Sequence, residues 1–177
     1  MTFQTDIATT AEIAARRRLG LGDHLRWTEW AQNMLAVGHD MPGLCMMAGE
    51  IQPFNAFEMD DLFDRSMFEL GLPSVQTDAE ACQIFCASRT RAVLNHKTSW
   101  SLVLSELFSI EHVHFEHGGQ YTISGLYWTW RDLEETGCTY HTDIRPETLD
   151  DIVLGEFQHW YQVCSKTKIY RDLMLLP

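Results

Sequence analysis

A chain of 177 residues is long enough for one hydrophobic core and short for two. Its 45% hydrophobic and 21% charged residues exclude a disordered chain, and no run nears the roughly 18 apolar residues of a membrane span. A net charge of −12 repels nucleic acid and anionic lipid and favours a basic partner.

In chain order, residues 1–15 mix polar and apolar positions and lack the apolar stretch of a signal peptide, so a cytoplasmic location is expected. A first helix is predicted over 10–19, ended by Gly20, and a second over 23–38. Trp27, Trp30, Ala31, Met34 and Leu35 share one face of that second helix. Asp40 with Pro42 opens a short helix over 42–48. Asn55 and Glu58 have N-cap to N3 spacing, which predicts a helix to Leu70 before Gly71. Thr77 or Asp78 starts another, ending near Asn95, and Thr98 or Ser99 caps a sixth through Ile110.

The period changes after Glu111. Residues 112–116 alternate, Gly118 and Gly119 follow, and 121–123 resume the alternation, which predicts a short hairpin or an irregular loop. Helical spacing returns at Ile123 and lasts to Gly137. Pro146 suits the first position of a last long helix carrying Leu149, Ile152, Val153, Phe157, Trp160 and Cys164 on one face. The apolar tail over 169–177 is expected to pack back on the body. The expected fold is therefore mainly α: a compact single domain over 1–177 with about seven to eight helices, and a short β-hairpin near 112–124 as an option.

The run Trp27-Thr28-Glu29-Trp30-Ala31, Met34-Leu35, Gly38-His39-Asp40-Met41-Pro42 and Ala48-Gly49, with the helix from Phe57 to Gly71, resembles a group of small uncharacterised bacterial helical proteins. The resemblance covers 27–72. It implies a bacterial helical protein and carries no activity.

Most of the net acidity lies in 27–88, where ten carboxylates face a single cation, Arg65. The basic run Arg16-Arg17-Arg18 is too short to attract nucleic acid against that charge. Within the Asn55-capped helix, Met59, Leu62, Phe63, Met67 and Leu70 form a core face. Phe57 and Phe68 project opposite, in line with Asp61 and Asp64; these four are the candidate partner-binding residues, unless another element covers the rings. Trp128 lies off its own helix's apolar face in the same way. Arg89 and Glu156 interrupt apolar faces, so each is expected to have a partner, the other being one option.

Among chemistry-bearing groups, His112, His114, Glu116 and His117 are the densest. On a strand the first three would share a side, and imidazole with carboxylate suits Zn²⁺, Fe²⁺ or Mn²⁺. The order is similar to that of cupin-type β-barrel metal enzymes, which need many strands where this chain offers two; His141 and His159 are further candidates. A solvated polar face is the commoner outcome for such a cluster. Five cysteines without a CxxC pair suit reduced packing residues. GxGxxG, Walker A, HExxH and GxSxG patterns are missing, and Asp60, Asp61 and Asp64 lack EF-hand spacing. The leading expectation is a non-enzymatic interaction module, an immunity-type inhibitor or small adaptor without a cofactor, that binds a basic protein. A metal-dependent enzyme or metal sensor using the 112–117 cluster stands second, and a structural subunit of a larger assembly third.

Overall fold

The computed structural model describes residues 9–111, 119–141 and 143–174. Among these residues the chain is helical throughout its regular structure: α1 (Thr10–Arg18), α2 (His24–Ala36), α3 (Pro42–Gly49), α4 (Ala56–Glu69), α5 (Asp78–Leu94), α6 (Trp100–Ile110), α7 (Ile123–Thr136), α8 (Leu149–Cys164) and α9 (Lys168–Leu173). The mainly α expectation holds, with nine helices among the described residues where seven to eight were expected. The additional one is α9, a six-residue helix in the apolar tail, too short for periodicity to reveal.

Of the expected hairpin, residues 112–118 lie outside the described residues. Residues 119–122 form no strand, and Ile123 opens α7 where helical spacing was expected to return, because the Thr122 hydroxyl accepts from the Gly125 amide at 3.0 Å and caps the helix. No helix among the described residues is long and apolar enough to cross a membrane.

The helices fall into two compact units. One holds α1 to α4, the start of α5, and α9; the other holds the rest of α5 with α6 to α8. The division falls inside a helix, so no linker marks it in the sequence.

In the first unit, α2 buries most of the face predicted for it: Trp27, Trp30, Ala31 and Met34 are almost fully enclosed, while Leu35 is half-buried. Phe63 of α4 packs against both indoles, with ring centroids 5.2 Å from Trp27 and 5.9 Å from Trp30. Trp30 donates its indole N–H to the Thr10 hydroxyl at 2.9 Å, tying α2 to the start of α1. Helices α3 and α4 approach closely because residue 43 is glycine. A Cβ there would lie 2.8 Å from Ser66 Oγ, and the Gly43 amide donates to Glu69 Oε2 at 2.8 Å. Of the expected tail, residues 175–177 lie outside the described residues; before them α9 packs on α1 and buries Tyr170 and Leu173.

The second unit centres on Phe85, Leu104, Leu107, Leu126, Phe157 and Trp160. Cys82, Cys86 and Cys164 are buried there, while Cys45 of the first unit and Cys138 are exposed. A hydrogen bond with the Cys164 thiol, together with burial, pushes the Cys86 thiol well above its ordinary range, so it is a protonated packing group.

Candidate functional site

Helix α4 has two chemically opposite faces. Asn55 sets its start by accepting from the Phe57 amide at 3.2 Å, and the chain leaves it at Gly71, where φ is +66°. That fixed register sends Met59, Leu62, Phe63 and Met67 into the core. It sends Phe57, Asp61, Asp64 and Phe68 outward, at spacings of four, three and four residues. Phe57 is 85% exposed and Phe68 84%, so no element among the described residues covers either ring. Eleven residues of helix separate them, about 16 Å along the axis.

Beside Phe68 lies a groove of about 440 Å³. Ala14 of α1, Phe63 and Met67 of α4, and Leu72 and Val75 of the following segment supply its apolar lining. Arg17, Arg18, Asp64 and Phe68 also border it. Arg17 donates to Asp64 at 2.6 Å, comes within 3.7 Å of Asp60, and lies over the Phe63 ring at 5.7 Å from its centroid. Arg18 donates to Asp78 at 2.7 Å. Both guanidiniums are thus engaged by carboxylates. The Asp64 carboxyl is raised above its ordinary 3.8, first by burial; Arg17 opposes this, and Asp60 and Asp61 add to it by repulsion.

Sequence reasoning found the aromatic and acidic residues of α4 but missed Arg17, Arg18 and the groove. A basic triplet in a chain whose 27–88 stretch is strongly acidic was the available signal for intramolecular pairing. The segment that completes the groove carries no periodicity and could not be read locally.

The other expected sites separate. Arg89, 1% exposed, donates from Nε to Glu106 Oε2 at 2.8 Å, so its ion-pair partner is Glu106 rather than Glu156. Glu106 stands on α6, beside α5, and the periodicity of one helix gives no hint of a partner on another. Glu156 accepts instead from the backbone amide of Gln120 at 3.0 Å through Oε1; its Oε2 is buried without a hydrogen bond among the described residues. Gly119 is drawn tightly onto this carboxylate, since a Cβ there would lie 2.2 Å from Glu156 Oε2.

His112, His114, Glu116 and His117 lie outside the described residues. Among the described residues, no group of three or more His, Cys, Asp or Glu side chains is arranged to hold a metal ion. His159 is exposed on α8, and the His141 ring stands edge-on to Tyr121 at 5.7 Å. The Tyr121 hydroxyl donates to Asp143, which raises the tyrosine above its ordinary range and lowers the carboxyl below its own.

Trp128 is 56% exposed within an aromatic cluster on α6 and α7 that its sequence neighbourhood did not reveal. Phe108 stacks on Tyr127 with centroids 4.0 Å apart, and Trp128 meets both rings edge-on at 5.5 and 5.3 Å.

Compared with known proteins, the chain matches no family model, no curated protein and no solved structure.

Proposed function

We propose that this chain is a non-enzymatic protein–protein interaction module, of the kind represented by immunity-type inhibitors and small adaptors, and that it presents the outer face of α4 to a basic protein partner. The observation that carries the reading is the pair of aromatic rings, 85% and 84% exposed, bracketing Asp61 and Asp64 on one helical face. Isolated apolar residues on a surface are ordinary. Two phenylalanines in register with carboxylates between them form an anchor-and-charge pattern that a basic helix or strand can match.

Association proceeds in two stages. The acidic field steers a cationic surface towards α4, and desolvation of Phe57 and Phe68 then slows its departure. A lysine-rich synthetic helix tests this: its affinity falls with rising salt and with Phe57→Ala and Phe68→Ala. An affinity that neither salt nor these substitutions change overturns the reading.

A second reading, a structural subunit of a larger assembly, is favoured by the Trp128 cluster. It predicts a mass in solution above that of one chain, lowered by Trp128→Ala.

A further inference from the structure

The outer face of α4 ends beside a groove, and the two differ in character. The face offers rings and carboxylates to solvent; the groove offers apolar depth behind a charged border. Its volume of about 440 Å³ lies within the range of about 300–1,000 Å³ typical of ligand-binding clefts.

The charge around the groove selects its occupant. Asp60, Asp61, Asp64 and Asp78 stand against two cations, Arg17 and Arg18, whose guanidiniums already contact Asp60, Asp64 and Asp78. The border itself holds Arg17, Arg18 and Asp64, but with Asp60 and Asp78 against the guanidiniums and Asp61 beside Asp64 the surround is net negative, and an anionic group entering it would have to displace a carboxylate already in place. A cationic partner meets surplus negative charge instead, and relieves the mutual repulsion that helps to raise Asp64. The apolar lining of Ala14, Phe63, Met67, Leu72 and Val75 suits a hydrocarbon or aromatic side chain.

We propose that the groove between α1, α4 and the segment after α4 receives a large apolar side chain from a basic amphipathic helix, whose lysines or arginines lie over Asp61 and Asp64 along the outer face of α4. This deepens the interaction-module reading and rests on it. The occupant's length follows from α4 itself: the rings of Phe57 and Phe68 lie three turns apart, so the partner helix needs about three turns. Its apolar residue falls at the end that passes Phe68, and its cations fall in the turns before. Charge supplies orientation and the groove supplies the anchor.

Two synthetic peptides of about 14 residues test this against the full chain. Both carry lysines on one face; one has a tryptophan near its end and the other an alanine at that position. Isothermal titration gives affinities, and amide shifts of ¹⁵N-labelled protein give the location. The expected result is that the tryptophan peptide binds at least roughly tenfold tighter. Its additional shifts should concentrate at Met67, Leu72, Ser74 and Val75. Ser74→Trp, which fills the groove from its open side, should bring the tryptophan peptide down to the affinity of the alanine peptide.

Equal affinity of the two peptides, both weakened by Phe57→Ala, overturns the groove proposal and leaves the interaction reading standing. Absence of binding by either peptide overturns both. Tighter binding of the tryptophan peptide with shifts elsewhere also overturns the groove, and this mapping on the unsubstituted protein holds even if Ser74→Trp fails to fold.

Discussion

Phe57 and Phe63 are the same amino acid, six residues apart on one helix, yet they answer to different forces. Phe63 is 4% exposed and touches both indoles of α2, so Phe63→Ala removes buried contacts and leaves a cavity. It should cost about 3–5 kcal/mol. Phe57→Ala and Phe68→Ala remove rings already in water and should change stability by no more than about 0.5 kcal/mol. Urea unfolding of the three variants checks this; a cost above about 1.5 kcal/mol for either outer ring would show that it packs in solution. A second residue-scale test concerns Gly119. Its φ of +110° is in a region that L side chains rarely adopt, and its missing Cβ leaves room for the Glu156 carboxylate. Gly119→Ala adds a clash to that strain and should destabilise the protein by about 2 kcal/mol or more, whereas Gly137→Ala meets no atom within 4 Å and incurs backbone strain alone. Equal midpoints for the two variants would show that Gly119 is not held against Glu156.

At the scale of elements, local chemistry made most of the fold legible. The caps expected at Asn55 and Ser99, with glycines after α1, α4 and α7, mark helix ends because they satisfy backbone groups that a helix leaves open; Thr9 and Thr122 cap α1 and α7 in the same way but were not expected as caps. Two ends use a different local solution, and of these the end of α5 falls near Asn95 as expected while the start of α8 does not. Helix α5 ends without a glycine: His96 takes φ +56°, and its amide and that of Lys97 return to Val93 and Ala92. Pro146 does not open α8, because Arg145 and Thr148 close a turn around it and the helix begins at Leu149. The groove escaped altogether, since it needs α1 and α4 side by side and no single period encodes that. The α3–α4 contact adds a prediction on pH. Arg65 and the Gly43 amide hold the Glu69 carboxylate below its ordinary 4.5, so it binds its proton more weakly in the folded chain than in the unfolded one. The stability this contributes is present above pH 4.5 and is lost as pH falls through the lowered folded value. The difference in urea midpoint between wild type and Glu69→Gln should therefore shrink on acidification below pH 4.5. A difference independent of pH would mean that Glu69 acts through shape alone.

Across the whole molecule, the question is whether partner steering follows total charge or its placement. Ten of the 25 acidic residues lie in 27–88 with one cation, which leaves a net −9 there and −3 elsewhere. Asp61 and Asp64 project from the face between the exposed rings, whereas Asp150 and Asp151 are exposed on α8 in the other compact unit. Removing two charges from either place changes the net charge from −12 to −10, so a field set by the sum alone would slow association with a lysine-rich helix equally in both double variants. Screening argues for placement: at about 0.15 M salt the Debye length is about 8 Å, so an exposed charge acts mainly on groups that approach its own surface. Stopped-flow association rates should therefore drop several-fold for Asp61→Asn/Asp64→Asn and stay near wild type for Asp150→Asn/Asp151→Asn. At low salt, where the screening length grows, the two variants should converge. If the α8 variant slows association as much as the α4 variant at about 0.15 M salt, the acidity is a general property of the molecule and α4 loses its claim to be the docking face.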